Sequence, residues 1–251
     1  MRITRHNHVY QLTYLPNLFP VNCYLVEEEN SLTLIDAALP NNAAAIIEAA
    51  KEIGKPITRI VLTHAHSDHI GALDQLKRQL PSVSVYISAR DSRLLAGDRS
   101  LDSGEPNTDI RGGVPKPNQI QTKPDVFLQD GDRVGSLRAI ATPGHTPGSM
   151  SFLDTRGNEL IAGDAWQTRG GIAVTGQMNP WFPFPAWATW DKVTALESAR
   201  KLLKLNPSLL AVGHGNLLAE PAASMEIAIN TAERKLNKEA NRDKRSDNHV
   251  T

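Results

Sequence analysis

Cys23 is the only cysteine in the sequence. That excludes an intrachain disulfide and any zinc site built on cysteines. Cys23 falls in the strand-like run Val21 to Val26, where it reads as a small buried apolar residue. Net charge is also absent, because 27 Lys and Arg balance 27 Asp and Glu. No overall field draws the chain to nucleic acid or to an acidic membrane surface. Long apolar runs are missing too: no stretch of about 18 apolar residues exists to span a membrane. Met1 to Tyr10 hold two Arg and two His but no apolar core of signal-peptide length, so the cytoplasm is the expected compartment.

What is present is ordinary globular composition, 40% hydrophobic and 22% charged over 251 residues. This suffices for one large core. The expected organisation is a single domain over residues 1–236, followed by a charged, disordered tail over 237–251. Strands are expected at Val9 to Leu15, Asn22 to Glu28, Leu32 to Ile35, Ile57 to Thr63, Val83 to Ile87, Val126 to Leu128, Leu137 to Ala141 and Leu209 to Val212. A hairpin is expected from Met150 to Ala162 around Arg156-Gly157-Asn158. Helices are expected over Ala43 to Ile53, capped by Asn41 or Asn42 and stopped at Gly54, and over Leu73 to Leu80 and Arg90 to Ala96. Two more follow, one capped by Thr189 or Asp191 and one started by Pro221. Arg59 to Thr63 and Arg138 to Thr142 form a weak internal echo.

Two segments lack this periodicity. Residues 97–124 hold Pro106, Pro115, Pro117 and Pro124 with Gly104, Gly112 and Gly113 and read as a long loop, which in a compact domain is usually functional or mobile. Residues 166–190 hold all four tryptophans, Trp166, Trp181, Trp187 and Trp190, with Phe182 and Phe184 among prolines.

The chain is organised around Thr63-His64-Ala65-His66-Ser67-Asp68-His69. An apolar strand ends there and a helical pattern begins just beyond, so three histidines and an aspartate crowd a loop at a strand's carboxyl end. Imidazole and carboxylate are ligands for zinc and similar divalent ions. The theme repeats: ligand-type residues follow strands at His145, Asp164 and His214.

Taken in order, the first motif, Pro143-Gly144-His145-Thr146, Gly163-Asp164 and Gly213-His214-Gly215 resemble the metallo-β-lactamase-fold hydrolase superfamily. The resemblance implies an α/β, four-layer αβ/βα sandwich with two divalent metal ions in a cleft at the sheet edges. It implies His64, His66 and His145 on one metal, Asp68, His69 and His214 on the other, and Asp164 bridging both. Asp36 matches the family's aspartate behind the ligands, although the family usually follows it with a small residue and Gly where Ala37-Ala38 stand here. Zinc is the expected metal, with iron or manganese compatible with the same donors. Water held between two such ions about 3.5–4 Å apart becomes a nucleophile near neutral pH, with Asp68 orienting it or receiving its proton.

Comparison with branches of that family narrows the expectation. Zinc β-lactamases commonly lack the bridging aspartate and are exported. Glyoxalase II enzymes share all seven ligands but carry a longer C-terminal extension. Lactonases place a tyrosine three residues after the bridging aspartate, where Gln167 stands here. Nuclease branches use a basic exosite, and flavodiiron proteins replace the second histidine, which here is His66. The expectation is a binuclear hydrolase of a small, partly apolar ester, lactone or thioester, with Trp166, Trp181, Phe182, Phe184 and Trp187 binding the apolar part. Neither nucleic acid nor membrane is an expected partner. The alternatives are a β-lactam or organophosphate hydrolase on the same scaffold, or a mononuclear iron enzyme resembling sulfur dioxygenases. The iron enzyme is the contrasting class, and a non-catalytic binding protein is disfavoured because no ligand is lost.

Overall fold

The computed structural model describes residues 1–247, with side chains through residue 242. Strands β1 (Arg2–His6), β2 (Val9–Tyr14), β3 (Val21–Glu27), β4 (Leu32–Ile35), β5 (Ile57–Val61), β6 (Ser84–Ser88) and β7 (Val126–Leu128) form one sheet in sequential order. The first four are antiparallel neighbours, and β4 to β7 run parallel. Parallel neighbours need crossovers. Helices α1 (Ala43–Ile53), α2 (Ser67–Ile70), α3 (Leu73–Gln79) and α4 (Ala89–Leu95) supply these between β4 and β7.

Strands β8 (Arg133–Val134), β9 (Leu137–Ala141), β10 (Met150–Asp154) and β11 (Glu159–Ile161) begin the second sheet. A small ribbon of β12 (Trp166–Gln167) and β13 (Ala173–Val174) comes next, then α5 (Phe184–Ala188) and α6 (Lys192–Leu203). Strands β14 (Leu209–Ala211) and β15 (Leu218–Ala219) complete the second sheet in the order β15-β14-β11-β10-β9-β8. Helix α7 (Ala222–Asp247) closes the described chain.

Alternation along the strands explains the layering. In β3, Val21, Cys23 and Leu25 point into one cluster with helical Ile46, Leu73, Leu76 and Leu94. Tyr24 and Val26, alternating with them, point into another with Val61, Leu137, Phe152 and Ile161. That second cluster joins the two sheets face to face. Leu153, Leu160 and Leu210 leave their strands on the opposite side and pack with Leu196, Ala199, Leu202 and Met225. Period-two side-chain direction thus gives three apolar interiors. Helix, sheet, sheet and helix stack as the expected four-layer αβ/βα sandwich.

The structure departs from expectation at several places. Arg2–His6 is a strand, paired along its length with Val9–Thr13. Its exposed, charged residues carry no apolar alternation to signal it. Asn42 precedes α1 but turns its side-chain oxygen to the Leu39 amide rather than capping the helix. Helix α7 continues through 237–247, where the sequence reading places the start of a disordered tail. Residues 248–251, the rest of that tail, lie outside the described residues. Among the described residues, no helix is long and apolar enough to cross a membrane.

Candidate active site

Parallel pairing of β4 with β5 brings their carboxyl ends together, Ile35 opposite Val61. Asp36 follows Ile35 and takes a left-handed backbone, φ +62°, that turns its carboxylate back toward β5. Its Oδ1 accepts the Thr63 amide at 2.8 Å, and its Oδ2 accepts the Thr63 hydroxyl at 2.8 Å. Ala38, where the family pattern has Gly, keeps φ +50°. An L side chain in this region costs about 1–2 kcal/mol, and the fully buried methyl of Ala38 offsets part of that.

The cluster then assembles from both sheets. His64 and His66 follow β5, and the single turn of α2 carries Asp68 and His69. His145 follows β9, Asp164 follows β11, and His214 follows β14. All are buried except Asp68, whose side chain is 24% exposed. Ligand-type atoms converge in three overlapping sets within 4.8 Å: His64, His66 and His145; His64, His69 and Asp164; Asp68, His69 and His214. Every metal-ligand candidate is therefore brought together. Asp164 lies between the subsets, its Oδ1 3.4 Å from His69 Nε2 and its Oδ2 3.4 Å from His145 Nε2 and 3.2 Å from His214 Nε2. Close packing demands glycine at 213, because an added Cβ would collide with Asp164 Oδ1 and His69 Cε1.

Each histidine is oriented by its other ring nitrogen. His66 Nε2 donates to the Arg111 carbonyl at 2.9 Å, and His214 Nδ1 donates to the Pro20 carbonyl at 2.7 Å. His69 Nδ1 donates to Asp36 at 2.7 Å. His64 Nδ1 meets the Thr63 hydroxyl at 3.0 Å, and His145 Nδ1 meets Thr175 at 3.1 Å. Such partners select the tautomer and, on a neutral ring, leave the opposite nitrogen bare.

The bare nitrogens fit a metal pair. His66 Nδ1 and His145 Nε2 face each other at 2.9 Å, two lone pairs that a cation would reconcile. His64 Nε2, His69 Nε2 and Asp164 Oδ1 are buried without a hydrogen-bond partner. Buried polar atoms left so are costly and uncommon.

Burial and charge divide the cluster. Burial holds His64 well below its ordinary pKa and lowers His66 and His145, the last to about 3. Those imidazoles are neutral and ready to ligate. At His69 and His214 burial pushes the same way, but facing carboxylates, Asp164 foremost, outweigh it. His69 rises well above its ordinary value and His214 rises to about 10. For Asp68 and Asp164 burial opposes ionisation, yet the same histidines pull both below the ordinary carboxylate value.

Over the cluster lies a cavity of about 360 Å³. Of the aromatic residues expected to bind substrate, Phe184 and Trp187 line it. Phe182 sits behind, buried, with its ring 5.3 Å from that of His214. Trp166 belongs instead to the core under α6 and α7. Trp181 is 84% exposed and lines a separate depression beside Gly170, Ile227 and Lys235. Aromatic composition marks the segment but not the direction of each ring.

Sequence reasoning missed Phe19, a cavity wall carried by the β2–β3 connection, and Asp91. Buried Asp91 accepts the amides of Ala65 and Gly148 and the hydroxyl of Thr146 at 2.8 to 2.9 Å, fastening two ligand loops together. Part of the 97–124 loop contributes as well: Gly112 and Gly113 line the cavity, and Arg99 holds the carbonyls of Ile110 and Val114 on either side.

The model of the metallo-beta-lactamase superfamily matches residues 16–214. Uncharacterized protein YobT of Bacillus subtilis (strain 168) is 59% identical over 234 residues, covering 93% of this chain and 100% of YobT. Hydroxyacylglutathione hydrolase GloC of Haemophilus influenzae is 30% identical over 206 residues, covering 79% and 87%. Among solved structures, TTHA1623 in a di-iron-bound form has a TM-score of 0.61 at 26% identity, covering 84% of this chain and 95% of that one. The match spans every strand end that carries a candidate ligand, from His64 to His214, and the chain belongs to the metallo-β-lactamase superfamily of metallo-hydrolases.

Proposed function

We propose that the protein is a binuclear metal-dependent hydrolase of a small, partly apolar ester, lactone or thioester. The observation that carries this reading is the convergence of seven buried or half-buried ligand side chains directly beneath an aromatic-walled cavity. His64, His66 and His145 would hold one ion, Asp68, His69 and His214 the second, with Asp164 shared. When bound, such a pair supplies an acidified water as nucleophile and polarises the scissile carbonyl. Zinc suits these donors, and the di-iron neighbour supports iron on the same frame.

The remaining work falls to side chains. Asp68 is the more exposed of the two site carboxylates and lines the cavity, which suits it to orient the attacking water and take its proton. Asp164 fixes the spacing between the two halves. Phe19, Phe184 and Trp187 offer a face for an acyl or ring carbon skeleton. GloC, named for hydrolysis of a glutathione thioester, favours that substrate class within the proposal.

The test is a metal count on purified protein together with hydrolysis of a panel of lactones, acyl thioesters and a chromogenic cephalosporin. Two metals per chain with lactone or thioester turnover are expected. One iron per chain with no hydrolysis would overturn the reading. Phe184→Ala and Trp187→Ala are expected to lower kcat/KM more for long-chain than for short-chain substrates.

A further inference from the structure

His145 is the one candidate ligand whose second nitrogen leads into the aromatic segment. Its Nδ1 lies 3.1 Å from the Thr175 hydroxyl and 3.3 Å from that of Thr189. The two hydroxyl oxygens are 2.8 Å apart, and Thr189 Oγ1 is 2.6 Å from the Pro185 carbonyl. Both threonines are buried, at 2% and 4% exposure. Backbone bonds strap the same region to the ligand loop: Trp190 donates to the His145 carbonyl at 3.0 Å and Asp191 to that of Gly144 at 2.9 Å.

The proton order in this chain has one solution. A carbonyl only accepts, so Thr189 donates to Pro185. The Thr189 oxygen is then free to accept, and Thr175 must donate to it. The Thr175 oxygen in turn accepts from His145 Nδ1–H. His145 Nε2 is left without a proton, and it points at the ligand cluster, 2.9 Å from His66 Nδ1. The chain ends on α5, the helix that carries Phe184 and Trp187, and Pro185 itself lines the cavity.

We infer that Thr175 and Thr189 are positioning residues: their hydroxyl chain sets the tautomer of His145 and ties that ligand to the helix that walls the substrate cavity. This rests on the metal-site reading above. It assigns to two residues of the tryptophan-rich segment a part in holding metal, beyond any part in substrate contact. The ligand and helix α5 form one hydrogen-bonded unit, whereas Asp68, His69 and His214 make no hydrogen bond to Thr175 or Thr189.

The experiment is a Co²⁺ titration against a competing chelator on the wild type, on T175V/T189V, which keeps shape and deletes both hydroxyls, and on T175S/T189S, which restores them. Histidine ¹⁵N spectra of zinc-loaded protein give a second readout, the Nδ1–H tautomer of His145. The valine pair is expected to weaken the subsite of His64, His66 and His145 about 10- to 100-fold, the effect usual for losing such a partner. The other subsite should keep its affinity, and the serine pair should bind like wild type. Unchanged affinity at both subsites in the valine pair overturns the inference. So does equal loss at both, the mark of a general packing defect, and so does failure of the serine pair to restore binding. A wild type that binds no Co²⁺ overturns the metal reading itself, which is a separable result.

Discussion

Asp36 Oδ2 lies 2.7 Å from His69 Nδ1, and both groups are buried at the end of the first sheet's parallel strands. The same oxygen accepts the Thr63 hydroxyl, whose oxygen contacts His64 Nδ1. One carboxylate therefore orients a histidine in each half of the cluster.

Asp36→Asn keeps the shape but leaves one acceptor oxygen for three donors. One of the Thr63 amide, the Thr63 hydroxyl and His69 Nδ1 must then face an NH₂ group. The expected outcome is metal binding weakened about 10- to 100-fold, measured by chelator competition, with the fold retained by circular dichroism.

Asp91→Asn acts at a different joint. Burial raises the Asp91 carboxyl to about 6, against the hydrogen bonds from Thr146, Ala65 and Gly148 that favour its charge. It is mostly ionised at pH 7, and its two oxygens serve three donors on the loops of His64–His66 and His145. An amide loses one of these bonds and sets donor against donor. A loss of about 1–3 kcal/mol in unfolding free energy is expected, together with weaker metal binding at the three-histidine subsite. Urea unfolding and metal titration measure the two effects.

Gly213→Ala tests the close approach of the strand-end loops. The new methyl collides with Asp164 and His69. Loss of the second metal is expected, with turnover down at least tenfold, while the sheets remain folded, because alanine keeps the backbone bonds of residue 213 to Asn22 and Gly163. Metal analysis beside circular dichroism checks this.

In the metal-free protein His145 and His214 together contribute most to stability near pH 6.5. His214, carried up to about 10 against its ordinary 6.5, contributes stability that is fully present below pH 6.5 and lost as pH rises through 10. His145, depressed to about 3 by burial, contributes stability present above pH 6.5 and lost as pH falls toward 3. Metal must displace the His214 proton, so the rise in Tm on adding zinc should grow between pH 6.5 and 9. Thermal melts with and without chelator across that range supply the measurement. A metal effect that does not change with pH would contradict the assignment.

How much of this was legible in the sequence depended on the kind of signal. The layers were readable because strand alternation is local: Val21, Cys23 and Leu25 against Tyr24 and Val26 already separates two faces. The candidate ligands were readable because His64 to His69 crowd a loop after a strand, and His145, Asp164 and His214 repeat that setting. Asp91 was not, since an isolated aspartate in a helix looks like any solvated one until folding brings two loops to it. Phe19 was not, because its loop gives no hint that it will lie over His214. Trp166 and Trp181 were misread for the complementary reason: a tryptophan's size says that it will bury or bind, and only the backbone says which.

Two metals on this frame would be seen by anomalous diffraction from crystals grown with zinc or iron. Two peaks about 3.5–4 Å apart are expected, one among His64, His66 and His145, the other among Asp68, His69 and His214, with Asp164 between them. A single peak, or one outside this cluster, would rule out the binuclear site.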